Sequence, residues 1–68
     1  MPGSVLVPFG ELRDVFIDGQ LCGTTNVPFD VEVGTHDIDL GGPPSQRITV
    51  LPTHTPLDPL IVQFQEPS

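Results

Sequence analysis

The chain has 68 residues, enough for one domain with a small core. Its net charge is −7, with Arg13 and Arg47 as the only fixed cations, which excludes the clustered positive charge that binds nucleic acid or anionic membranes. Nine prolines and seven glycines exclude long helices, since an interior proline costs a helix about 3 kcal/mol. We therefore predict one all-β domain over residues 1–68, with its core in about 4–64 and a frayed tail at 65–68.

Six short strands are predicted, besides a short return strand at residues 21–22. The first is Ser4 to Phe9, where Pro8 indicates an edge strand. The second strand, Val15 to Ile17, leads into the Asp18-Gly19 dipeptide. This dipeptide predicts a tight hairpin turn, because both of its residues tolerate positive φ. Leu21 and Cys22 then form a short return strand, in which Cys22 is expected to behave as a small apolar residue beside a glycine turn.

The middle of the chain has the clearest period-2 pattern. Phe29, Val31 and Val33 alternate with acidic residues, and Ile38 and Leu40 do the same. Such alternation is typical of half-buried strands. With residues 33–36 as the turn between them, these two strands are predicted to form a hairpin.

Two strands complete the chain: Arg47 to Leu51, and Leu60 to Phe64 as the second edge strand. Short strands at this spacing, without helices between them, predict a small antiparallel β-sandwich. The predicted core consists of the apolar residues at alternate strand positions: Val5, Val7, Val15, Ile17, Phe29, Val31, Val33, Ile38, Leu40, Ile48, Val50, Leu60, Val62 and Phe64.

An acidic cluster is the first candidate site. In the predicted hairpin Glu32 faces Asp37 and Asp30 faces Asp39, so that all four carboxylates share one face of the sheet. Like charges in opposed positions destabilise a strand pair. They could serve a basic protein partner or calcium, or simply form a solvated face that prevents aggregation. No calcium-loop spacing is present.

The loop from Leu51 to Pro59 is the second candidate, with His54 and Leu57 as its partner-binding residues. Its prolines lower the entropy of the free loop and hence the ordering cost of binding. A stiff connection between the sheets is the more ordinary role of such a loop. The two histidines and one cysteine are too widely spaced for a zinc signature, and His36 is expected to pack at the sheet edge. We predict no catalytic residues and no cofactor.

The stretch from Val15 to Leu40 resembles a PEGA domain, and the resemblance extends over about residues 4–64. It rests on the hydrophobic-x-Asp-Gly pattern at residues 15–19, Gly23-Thr24, the strand at 29–33, Gly34 with His36, and the two closing strands. The eponymous Pro-Glu-Gly-Ala is only echoed at residues 8–11, and residues 25–28 replace the usual Thr-Pro. The resemblance implies an immunoglobulin-like or prealbumin-like accessory module without catalytic residues.

The sequence thus predicts a non-catalytic protein-binding or structural subunit of a larger assembly, which contacts partners through sheet edges and an acidic face. The alternative is a carbohydrate- or envelope-binding module, for which Trp and Tyr, the usual stacking residues, are absent. No stretch has the length of a membrane span, and residues 1–14 lack signal-peptide features. If Met1 is the native start, a cytoplasmic location is favoured.

Overall fold

The computed structural model describes residues 1–64, and these form seven short strands without a helix. The strands are β1 (Pro2–Leu6), β2 (Asp14–Ile17), β3 (Gln20–Thr24), β4 (Phe29–Glu32), β5 (Gly34–Asp39), β6 (Gln46–Val50) and β7 (Leu60–Ile61). The all-β prediction is confirmed. The predicted frayed tail, residues 65–68, lies outside the described residues. Within residues 1–64, no helix is long and apolar enough to cross a membrane.

The strands form two sheets, a three-stranded sheet in the order β4-β1-β7 and a four-stranded sheet in the order β3-β2-β5-β6. All neighbours are antiparallel except β1 and β7, which run parallel. The prediction that residues 4–9 form an edge strand is wrong, since β1 is the central strand of its sheet. Pro8 lies beyond the end of β1, so its missing N–H removes no bond from that strand's ladder. β7 lies at an edge, as predicted.

The predicted hairpin between residues 29–33 and 38–40 is also wrong, because β4 and β5 belong to different sheets. β4 pairs with β1, whereas β5 pairs with β2 and β6. The chain crosses between the sheets at Val33 and Gly34, and Gly34 has a φ of 136°, which suits glycine. Val33 is consequently exposed, although the alternation placed it in the core.

The core between the sheets otherwise follows the predicted alternation. Among residues 1–64, ten apolar side chains are buried: Val5, Val7, Val15, Ile17, Val31, Ile38, Ile48, Val50, Val62 and Phe64. Phe29, Leu40 and Leu60 pack against them and are partly buried. The sheets approach closely at Gly3, where a Cβ would lie 2.6 Å from Val50 Cγ1. Complete burial of one such side chain stabilises the fold by about 1.5–3 kcal/mol.

The Asp18-Gly19 turn joins β2 to β3 as the sequence predicts. Its two residues have φ values of 51° and 83°, and Ile17 pairs with Gln20 across the turn. Further along, Val15 pairs with Gly23 and Phe16 pairs with Leu21, which leaves Cys22 as the extra residue of a β-bulge. Cys22 was expected to behave as a small apolar residue, but this bulge lies on an edge strand and leaves Cys22 exposed instead of packed in the core.

Candidate functional site

The four carboxylates of the predicted acidic cluster lie on two different surfaces. Asp30 and Glu32 project from the outer face of the three-stranded sheet, and Asp37 and Asp39 from the outer face of the four-stranded sheet. The prediction that they share one face is wrong, because β4 and β5 do not pair. The acidic charge is therefore spread around the molecule.

Each of these four carboxylates has a hydrogen-bond or ion-pair partner close to it. Asp30 accepts a hydrogen bond from the Ser4 hydroxyl at 3.2 Å, and Asp39 accepts one from the Gly41 N–H at 2.9 Å. Two ion pairs complete the set: Glu32 with the Met1 amino group and Asp37 with Arg47, both at 3.3 Å. Within residues 1–64, no group of three or more His, Cys, Asp or Glu side chains is placed to hold a metal ion.

The loop of residues 51–59, here called the proline loop, ends in a rigid turn. Thr55 and Asp58 exchange two backbone hydrogen bonds, of 2.9 and 3.2 Å, so that Pro56 and Leu57 form the tip. Pro56 restricts φ at the first tip position. The Leu57 side chain is 98% exposed. Single exposed leucines are ordinary on soluble domains, but this one is held at the tip of a hydrogen-bonded turn.

His54 holds the proline loop against the sandwich. Its N–H donates to the Leu51 carbonyl and its ring Nδ1 accepts from the Leu51 N–H, both at 3.0 Å. Its own carbonyl accepts from the Ser4 N–H of β1, also at 3.0 Å. His54 was predicted to contact a partner directly, and its bonds give it a positioning role in the loop.

Further exposed apolar side chains lie at the same end of the sandwich as the proline loop. The Val33 N–H donates to the Met1 carbonyl at 3.0 Å, and the pairing of Gly34 with Val50 brings Val33 close to Leu51. The side chains of Met1, Val33 and Leu51 are all exposed. Together with Leu57 they define the proline-loop end of the molecule, where acidic Glu32 and Asp58 also lie exposed.

His36 connects two strands and a hairpin turn at the proline-loop end, in contacts that we call the His36 bridge. Its Nδ1 lies 2.6 Å from Asp18 Oδ2, and its Nε2 lies 2.7 Å from the Glu32 carbonyl oxygen. The hydrogen bond to Asp18 raises the pKa of His36 above its usual 6.5, with a further contribution from the Glu32 carbonyl. The same bond, aided by the Asp37 N–H, lowers the pKa of Asp18 below 3.8. The sequence predicted His36 at a sheet edge but indicated neither partner.

The opposite end, here called the Asn26 end, is held by Thr25 and Asn26, whose role was not predicted from the sequence. The fully buried Thr25 hydroxyl accepts from the Arg13 N–H at 2.9 Å and donates to the Glu11 carbonyl at 2.7 Å. The Asn26 side chain exchanges two 2.9 Å hydrogen bonds with the backbone of Phe9. Asn26 has a φ of 66°, and Asn at a loop position in TTNVP was the available signal for such a conformation.

An open hollow of about 460 Å³ lies at the Asn26 end, lined by Pro8, Phe9, Gly10, Asn26, Gln63 and Phe64. The Phe64 side chain is buried, so its ring offers no stacking face. The Asn26 amide is already bonded to Phe9 at both its oxygen and its nitrogen. The second aromatic ring of the lining, Phe9, is partly buried, and the Arg13 guanidinium lies 6.0 Å from its centroid.

The arrangement as a whole is a small all-β fold of two sheets, with a displayed turn at one end and a hydrogen-bonded loop pair at the other. No family model, no curated protein and no solved structure matches this chain.

Proposed function

We propose that this chain is a non-catalytic binding module that docks on a larger protein assembly through the proline-loop end. The observation that carries the proposal is the Leu57 side chain, 98% exposed at the tip of a hydrogen-bonded turn. A side chain on a preorganised turn loses little conformational freedom on binding. Burial of one leucine in a partner's pocket contributes about 1.5–3 kcal/mol.

The proposed partner has a basic surface around its apolar pocket. The chain carries a net charge of −7, and both of its arginines are already paired, Arg13 with Glu11 at 3.0 Å and Arg47 with Asp37 at 3.3 Å. Asp58 lies next to Leu57 in the turn, and Asp30, Glu32, Asp37 and Asp39 add negative charge on both outer faces. Spread charge of one sign accelerates encounter with a basic partner, an effect that salt screens.

A role as a PEGA-like accessory module is the finer form of this proposal. The Asp18-Gly19 turn and the two-sheet fold support it, since both features belong to the resemblance described above. Modules of that family usually serve larger surface, envelope or signalling proteins. On this proposal, the chain contributes a docking surface and the assembly contributes the activity.

The test is capture from an extract of the native source with three forms of the chain: wild type, Leu57→Ala and Leu12→Ala. Leu12 is the matched control, because it is 69% exposed but lies in the loop at the Asn26 end. We expect Leu57→Ala to reduce capture of the wild-type partner by at least about tenfold, which corresponds to about 1.4 kcal/mol. Leu12→Ala should capture that partner as wild type does.

Two results would contradict the proposal. One is equal capture of the same partner by wild type and Leu57→Ala. The other is a native protein that migrates at the 7.3 kDa mass of the free chain in extracts of low and high ionic strength. A partner with a basic surface should also dissociate as salt is raised, because the attraction between exposed charges is screened within about 10 Å at 0.1 M salt.

A further inference from the structure

His36 occupies the position where the chain passes from one sheet to the other. It lies in β5 of the four-stranded sheet, and its Nε2 reaches the carbonyl of Glu32, the last residue of β4 in the three-stranded sheet. Its Nδ1 reaches Asp18 in the turn between β2 and β3. One imidazole thus joins the two sheets and a hairpin turn.

The two acceptors determine which form of the imidazole satisfies both contacts. A carboxylate and a carbonyl oxygen can only accept hydrogen bonds, whereas a neutral imidazole carries only one N–H. Both contacts are therefore complete only in the imidazolium, which carries an N–H on each ring nitrogen. The side chain is 17% exposed, so water can compete for these contacts only in part.

The charges around His36 also favour the imidazolium form of its ring. Asp18 on the hairpin turn is the nearest anion, and its other oxygen accepts from the Asp37 N–H at 2.9 Å. Glu32 on β4 adds negative charge but is paired with the Met1 amino group, and Asp37 beside His36 is paired with Arg47 of β6. The cross-strand neighbour of His36 in β6 is apolar Ile48. The cations near the bridge are thus offset by their own carboxylates.

We propose that His36 is a proton-binding site that couples protonation to the attachment of the two sheets. The protonated ring holds both the Asp18 turn and the end of β4. The neutral ring keeps only one of these contacts, so the crossover at Val33 and Gly34 becomes looser. This inference does not depend on the proposed function, although both concern the proline-loop end.

The direction of the pH effect follows from the two pKa shifts. The pKa of His36 is raised in the folded state, so its contribution to stability is complete below about pH 6.5 and is lost as the pH rises through the folded value. The pKa of Asp18 is lowered, so its contribution is present above about pH 3.8 and is lost as the pH falls through the folded value. The bridge should therefore stabilise the fold most between about pH 4 and 6.5.

The first test is an NMR titration of the histidine side chains in wild type and Asp18→Asn. Asparagine tolerates the positive φ of this turn position. The Asp18 carboxylate oxygen accepts a hydrogen bond from the ring Nδ1, whereas the amide NH₂ of asparagine would donate one to it. We expect the His36 midpoint to lie above 6.5 in wild type and to fall in Asp18→Asn. A His36 midpoint at or below 6.5, or one unchanged by the substitution, would overturn the proposal.

The second test compares the unfolding of wild type and His36→Gln across pH, and it decides the matter if Asp18→Asn does not fold. Glutamine can keep one hydrogen bond but does not titrate. We expect the stability difference between the two proteins to be largest near about pH 5.5 and to shrink towards about pH 9. A difference of constant size over this range would mean that His36 acts by packing alone, and the proposal would be wrong.

Discussion

The two ends of the sandwich use hydrogen bonds for different purposes. At the Asn26 end, the side chains of Thr25 and Asn26 bond to the backbone of residues 9–13 and draw that loop onto the fold. At the proline-loop end, backbone bonds and the His54 ring stiffen a turn that leaves Leu57 in solvent. A loop that is both rigid and exposed suits binding, because little freedom remains to be lost. The contrast distinguishes a structural end from a candidate contact surface.

The largest stability effect is expected from Thr25→Val, which tests the structural end. Valine keeps the shape but leaves the Arg13 N–H and the Glu11 carbonyl without the hydroxyl, at a cost of about 2–3 kcal/mol. Thr49→Val is the control, since Thr49 is exposed and only touches the Thr35 hydroxyl at 3.3 Å. For this control, urea unfolding should show a decrease of less than about 0.5 kcal/mol in the free energy of unfolding. Equal losses would mean that the Thr25 hydroxyl does not hold the Asn26 end.

A smaller loss is expected from Gly19→Val, in the turn beside the His36 bridge. The φ of 83° strains a β-branched residue by about 1–2 kcal/mol, although a Cβ there would meet no atom within 4 Å. Gly19→Asn should cost less, since asparagine adopts this conformation more readily. Thermal unfolding of the two variants compares them directly. Equal melting temperatures for wild type and Gly19→Val would contradict this account of the turn.

His54→Ala tests how the proline loop is held. It removes the ring nitrogen that accepts from the Leu51 N–H, and we expect a loss of about 0.5–1.5 kcal/mol. His54→Asn can present a carbonyl oxygen to the same N–H and should recover part of this loss. Hydrogen exchange at the Leu51 amide gives a local measure of the bond. Unchanged protection of that amide in His54→Ala would show that the backbone bonds hold the loop without the ring.

The smallest stability effect is expected from Leu57→Ala, because the side chain touches little of its own fold. The free energy of unfolding should change by no more than about 0.5 kcal/mol. Combined with the loss of partner capture proposed above, this result would separate binding from folding at one residue. A large loss of stability would instead make Leu57 part of the fold and remove it as a contact residue.

The sequence alone predicted features that depend on a few neighbouring residues. Alternation identified nearly every core residue, since side chains in a strand project to opposite faces in turn. The Asp18-Gly19 turn was equally readable, because positive φ at two successive positions admits few residue types. Alternation also chose the wrong face for one residue, Val33, at the point where the chain leaves its strand.

Strand partners were decided only by the tertiary structure. Residues 29–40 look like a hairpin, yet β4 pairs with β1 and β5 with β2 and β6, because alternation marks a buried face without naming the neighbouring strand. The positions of the candidate site residues depend on those pairings. The acidic residues lie on two faces, and His36 contacts Asp18 and the Glu32 carbonyl. Contacts between distant residues depend on how two sheets close over a common core, which no local pattern specifies.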